Sequence, residues 1–130
     1  MATRHIVSVK AVMFTEKGVV LLKNERDEWE LPGGQLEASE EPGACVVREV
    51  QEELSVDVAV ERLLDCWQFE VIPDRHVLIV AYHCRLVDPR QAFAISHEHK
   101  EVGVFAVDAL GGLSLPDGYA NAVRLAAVTL

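Results

Sequence analysis

Positive charge, cysteine and aromatic residues are all scarce in this chain, and it has no long apolar run. Its 130 residues carry 12 Lys+Arg against 21 Asp+Glu, a formal net charge of −9. Such an excess of acid argues against a surface that tracks a nucleic-acid polymer. It also implies that phosphates would be handled with a cation between protein and substrate. Cys45, Cys66 and Cys84 are widely spaced, with no C-x-x-C pair. They argue against a disulfide framework or a zinc site and suit a reducing compartment. Charges interrupt every candidate for the roughly 18-residue apolar stretch of a membrane span, so no membrane partner is expected. Met1-Ala2-Thr3-Arg4-His5 is followed by no signal-type apolar segment, and a cytoplasmic location is the expectation. Repeats, low-complexity tracts and linkers are missing too. Half the residues are apolar and a quarter charged, so one globular domain over 1–130 with a hydrophobic core is expected.

What is present has clear periodicity. Residues 4–14 are β-branched and partly alternating and read as a strand. Thr15-Glu-Lys-Gly18 reads as a turn, with Val19–Leu22 as the returning strand of a hairpin. Trp29-Glu-Leu-Pro-Gly-Gly34 is too punctuated by Pro and Gly to stay regular for long. Pro42 opens a helix that runs to about Leu54, Pro being favoured at a first helical position. Residues 56–71 and 75–87 read as two long strands about a turn at Pro73-Asp74, and 101–107 as a shorter one. An amphipathic helix over 117–129 closes the pattern. Strands, helix, strands, helix predict a mixed sheet covered by helices.

The helix from Pro42 breaks local rules. At ~100° per residue, Val46, Val47, Val50 and Leu54 share the core face, and Glu49, Glu52 and Glu53 share the adjoining arc. Like charges three and four apart destabilise a helix by about 0.2–0.5 kcal/mol per pair. These acids also crowd the C-terminal half, where the helix dipole disfavours them. A solvated acidic face is one reading. Ligation of a hard divalent cation is the other, since Mg²⁺ takes oxygen ligands and keeps waters and substrate phosphates in its shell.

Gly34, then five residues, Glu40, then seven, then Arg48-Glu49-Val50-Gln51-Glu52-Glu53-Leu54-Ser55-Val56 resembles the Nudix box, residues 34–56. Every charged and aliphatic position matches, and the departure is Ser55 where the box has Gly. Trp29-Glu-Leu-Pro-Gly33 and the stretch from His97 to Asp108 resemble flanking parts of the same superfamily. The resemblance implies an α/β/α sandwich in which a mixed sheet is flanked by helices. It implies that Glu49, Glu52 and Glu53 bind metal and serve catalysis, and that Arg48 holds a carboxylate by a charge-assisted hydrogen bond. Glu40 is then a supporting acid, and Gly34 a loop glycine that lets the backbone approach phosphates or turn sharply. Glu101 resembles the additional acid of a later loop, with Glu98 as its competitor. Ser55 stands where a left-handed residue often ends a helix, at a cost of about 1 kcal/mol without Gly.

The implied activity is Mg²⁺-dependent hydrolysis (Mn²⁺ being the other candidate) of a nucleoside diphosphate linked to a further group. A MutT-like nucleoside triphosphate hydrolase giving monophosphate and pyrophosphate is the leading expectation. ADP-ribose, sugar nucleotides and dinucleoside polyphosphates are alternatives, with Pro73, 17 residues past Val56, keeping ADP-ribose in view. The general base is expected to be Glu53 or Glu101. A small-molecule nucleotide is the expected partner, and a homodimer is compatible with the resemblance. Arg26 and Trp29 are candidate substrate contacts, behind them Lys23, Arg75, Trp67, Phe69 and Tyr82. His76, His83, His97 and His99 have no zinc spacing and read as structural or exposed, and Cys45 reads as a packing residue. Two non-catalytic readings compete: a nucleotide-binding module without turnover, expected to lack a box carboxylate, and an interaction domain whose acids are only solvated.

Overall fold

Alternation along the first strand sets the layering. The computed structural model describes residues 1–99 and 101–128. Strand β1 (Ile6–Val12) sends Val9 and Ala11 to one face and Ser8, Lys10 and Val12 to the other. It ends earlier than the alternation suggests. Phe14–Thr15 forms a separate β2, which pairs antiparallel with β3 (Gly18–Lys23) in a second sheet. Gly18 makes that close return possible, since its φ is 139° and a Cβ there would collide with the Phe105 carbonyl. Trp29–Glu30 (β4) and Gly33–Gln35 (β5) are short strands, as the Pro and Gly residues dictate.

Helix α1 (Pro42–Leu54) begins on Pro42 and ends at Ser55 in the left-handed region, with φ 60° and ψ 33°. The long strands are β6 (Val58–Ile72) and β7 (Arg75–Leu86), paired antiparallel, and β8 (Glu101–Phe105) follows. A 3-10 turn at Val107–Gly112, unforeseen from the pattern, leads to α2 (Asp117–Ala127). The expected last turn of α2 reaches Thr129, outside the described residues.

The expected mixed sheet flanked by helices is present, together with a second sheet. One has the order β5-β1-β7-β6, with β1 parallel to β7 and its other pairs antiparallel. The other runs β2-β3-β4, with β8 also on β3. Helix α1 packs Val46, Val50 and Leu54 against Val9, Ala11, Val20 and Leu22. Helix α2 packs Ala122 and Val123 with Val12, Ile79 and Ala81 on the opposite side. Fully burying one such Val or Leu contributes about 1.5–3 kcal/mol. Among the described residues no helix is long and apolar enough to cross a membrane.

Candidate active site

Arg48 organises the acidic arc of α1. Its Nε and Nη2 donate to Glu40 at 2.7 and 2.9 Å, a bidentate pair. Its Nη1 donates to Glu49 Oε1 at 3.0 Å and to both Glu52 oxygens at 3.2 Å. The like-charge crowding on this helix therefore has local compensation, which the wheel did not reveal. The guanidinium, hydrogen-bonded first of all to Glu40, is raised in pKa. Its hydrogen bonds to Glu40 hold that carboxyl down to about 2. Gly34 serves this arrangement by leaving room, because a Cβ there would collide with the Glu49 carboxylate. The glycine with a left-handed φ is its neighbour Gly33, at 148°.

Glu53 faces inward, 5 % exposed. Gly33 N–H donates to its Oε1 at 2.7 Å, and His99 Nε2 stands 3.6 Å from Oε2. Burial pushes the Glu53 carboxyl up to about 7, against the opposing pull of Lys10, the Gly33 N–H and His99. Glu49 is also raised, first by burial. Glu30 goes the other way. Burial opposes its ionisation, yet hydrogen bonds from His99 at 2.9 Å and Asn24 at 3.3 Å, together with Lys10, hold it at about 2. Two acids of one small region thus have ionisation ranges pushed far apart.

The chain after β7 reaches this region because α1 needs it. Leu54 and Glu53 end the helix with unpaired carbonyls, which accept from Ala94 N–H and Ser96 N–H at 2.9 Å each. That tether lays Ser96, His97 and Glu98 beside Glu49, Glu52 and Glu53 around a cavity of about 240 Å³. A second cavity of about 280 Å³ shares Glu53 and Glu98 with the first and adds Asn24, Arg26, Glu30 and His99. Asn24, Arg26 and Glu30 also line a third, of about 290 Å³, walled by Phe69, Tyr119 and Ile79 and floored by Lys10. The three adjoin one another through these shared lining residues, from the acids of α1 to the face of β1.

Of the two later acids, the structure brings Glu98 to the cluster. Glu101 instead sits at the start of β8, half exposed, in an ion pair with Lys23 at 3.3 Å. Strand pairing of β8 with β3 fixes it there, opposite Lys23. Arg26 lines two of the cavities and is ion-paired with Glu28 at 3.0 Å. Trp29 is 9 % exposed, stacked edge-on against Phe105 and beneath the Lys23 ammonium, while still touching the third cavity. Phe69 and Arg75 line that cavity too, Trp67 packs on Tyr119, and Tyr82 joins the core beside α1. His76 pairs with Glu70, and His83 meets Phe14 edge-on. Burial pushes the Cys45 thiol up to about 12, which suits a packing residue.

Sequence reasoning missed Lys10, Asn24, Glu30, Gly33 and His99. Lys10 looks solvent-facing from strand alternation, and His99 has no spacing signal. Glu30 and Gly33 stand inside a stretch noted for its punctuation and its resemblance to the flank of the box, with no role given to either.

The donor set fits a hard cation. Four carboxylates surround the first cavity, and the buried Ser96 Oγ beside them has no hydrogen-bond partner among the described residues. Among those residues no three side chains already stand as a cage, because Arg48 engages Glu49 and Glu52. Mg²⁺ commonly takes only one or two carboxylates and completes its shell with water and phosphate oxygens.

Comparison with known proteins follows the same line. The model of the NUDIX domain family matches residues 4–126. An 8-oxo-dGTP diphosphatase of Proteus vulgaris is 35% identical over 74 residues, covering 53% of this chain and 65% of the relative. A MutT-like protein of Streptomyces ambofaciens is 36% identical over 83 residues, 62% of this chain and 52% of its own length. The matches thus span only about half to two thirds of these curated relatives. The crystal structure of a MutT protein from Methanosarcina mazei Go1 superposes with a TM-score of 0.83 at 24% identity. It covers 99% of this chain and 98% of that one, a likeness of fold.

Proposed function

Because the chain belongs to the NUDIX domain family, we propose that it is a metal-dependent pyrophosphohydrolase acting on a nucleoside triphosphate, ribo or deoxy. The observation that carries this is the row of adjoining cavities, in which the four-acid cavity is linked, through shared Glu53, Glu98, Asn24, Arg26 and Glu30, to one walled by aromatic rings. Phosphates belong at the acidic end and a flat base at the aromatic end. The 8-oxo-dGTP diphosphatase relative supports a substrate of this class.

Glu49, Glu52, Glu53 and Glu98 would hold Mg²⁺ or Mn²⁺. Bound there, the cation would neutralise phosphate oxygens and lower the pKa of a water. Glu53 would accept the proton of the attacking water as the water oxygen bonds to phosphorus. The bridging P–O bond breaks, and a nucleoside monophosphate and pyrophosphate leave. Gly33 N–H holds one Glu53 oxygen in place, and the other stands 3.6 Å from His99 Nε2. Arg48 is a positioning residue, holding Glu49 and Glu52 against their mutual repulsion. Glu98 takes the place expected of Glu101.

The test is a product assay over nucleoside triphosphates, oxidised triphosphates, ADP-ribose, sugar nucleotides and diadenosine polyphosphates. It is run with Mg²⁺ and with chelator, beside Glu53→Gln. The reading predicts monophosphate release from triphosphates that requires both Mg²⁺ and Glu53. Turnover confined to ADP-ribose or dinucleotides would move the substrate class. Nucleotide binding with no product from the metal-replete protein would make it a binding module.

A further inference from the structure

Glu98 occupies a place that its own side chain does not secure. It lines the four-acid cavity, yet among the described residues it makes no hydrogen bond and no ion pair. The backbone on either side must hold it there. On one side is the tether from α1, which ends at Ser96. On the other is His99, whose N–H closes a turn on the Ser96 carbonyl at 3.4 Å. The His99 side chain is 7 % exposed, and its Nε2 meets Glu30 Oε1 at 2.9 Å. A carboxylate only accepts, so Nε2 carries the hydrogen. Nδ1 is buried with no partner among the described residues, and the ring is anchored through Nε2. Between the tether at Ser96 and the start of β8 at Glu101, this is the one side-chain hold among the described residues. Its anchor is itself fixed. Glu30 lies on β4, opposite Leu22 of β3, and its other oxygen accepts from Asn24 Nδ2 at 3.3 Å. Asn24 is set in turn by its Oδ1, which accepts from the N–H groups of Arg26 and Glu28 at 2.9 and 3.1 Å.

We propose that His99 is a positioning residue for the hydrolysis: docked on Glu30, it holds Glu98 beside the acids of α1. Neither His99 nor Glu30 has to touch metal or substrate for this. Partners that orient a ligand commonly matter nearly as much as the ligand itself. Without the Nε2 donor, the turn from Ser96 to His99 loses its pin on β4, and Glu98 is free to swing away from Glu49, Glu52 and Glu53. The same Nε2 also stands 3.6 Å from Glu53 Oε2, so an action of His99 on Glu53 directly is the rival account. The inference rests on the hydrolase reading for the role of Glu98.

Calorimetric titration of the substrate-free protein with Mn²⁺ gives a readout apart from turnover. Glu98→Gln and His99→Leu should each weaken Mn²⁺ binding about tenfold and lower kcat about 10–100-fold, with KM within about twofold of wild type. The double variant should lose no more than Glu98→Gln alone, because residues that act as one unit are not additive. His99→Gln, whose Nε2 can donate to Glu30, should recover most of both losses. If His99→Leu does not fold, His99→Asn, too short to reach Glu30, takes its place. Wild-type Mn²⁺ affinity and kcat in His99→Leu would overturn the proposal. Losses that add to those of Glu98→Gln would also overturn it and assign His99 to Glu53 instead. So would a His99→Gln variant that recovers nothing. The two readings fail separately. Mn²⁺ binding that depends on His99 in a protein that cleaves no nucleotide would sink the hydrolase alone, and cleavage indifferent to His99 would sink this inference alone.

Discussion

The two helices cover opposite faces of one sheet, yet they obey different rules. Helix α2 has Asp117 in its first turn and Arg124 in its last, the placement its dipole favours. Helix α1 has no acid in its first turn and no base in its last, and carries Glu52 and Glu53 close to its negative end. Both bury an ordinary apolar stripe. Packing therefore holds each helix, and the extra acids of α1 are sustained from elsewhere: by Arg48 within the helix, and by the Gly33 N–H, Lys10 and His99 from distant strands and loop. A helix that needs such outside support is carrying something besides its own stability.

Substitutions can break that contrast. The largest effect is expected at Glu53, where Glu53→Gln should lower kcat by about 10²–10⁴ if it takes the proton. The same variant should be more stable than wild type in chelator. The folded carboxyl lies near 7, above its ordinary 4.5, so wild-type stability falls as pH rises between those values. Denaturation at pH 8 should show a gain of about 3 kcal/mol for Glu53→Gln, vanishing below pH 4.5.

Next comes Arg48→Ala, expected to cost about 1–3 kcal/mol in denaturant unfolding through lost charged hydrogen bonds. It should also remove an acid-sensitive contribution. Glu40 is held near 2 in the folded state, so the wild type gains from it above 4.5 and loses that gain as pH falls towards 2. The pH profile of the variant should be flatter over that interval. Ser55→Gly relieves a left-handed non-glycine residue and should add about 0.5–1 kcal/mol. Smallest is Arg124→Ala on α2, within about 0.5 kcal/mol. An Arg124 effect as large as that of Arg48 would end the distinction between the helices.

The fold and half of the site could be read along the chain. Helix α1 and the long strands announce themselves because local periodicity and Pro42 decide them; helical spacing groups Glu49, Glu52 and Glu53, and the resemblance to the Nudix box gives them their expected role. Similarity favours Glu101 over Glu98, whereas the β3–β8 pairing ties Glu101 to Lys23 and the tether from α1 lays Glu98 beside the other acids. Glu30 and His99 touch across 69 residues of sequence, and Gly33 and Glu53 across 20. No local pattern encodes such meetings. Lys10 hid for a different reason: alternation says which side of β1 it takes, and α2, arriving more than a hundred residues later, decides that this side is covered.

The tether that brings Glu98 to the acids is made of main-chain groups at both ends, Ala94 and Ser96 donating to the carbonyls of Leu54 and Glu53. Side-chain identity plays no part in it, apart from the exclusion of proline at the two donors. The segment can therefore accumulate substitutions without drifting from its mooring. Positions 97 and 98 become places where lineage divergence can retune the chemistry while the scaffold stays as it is.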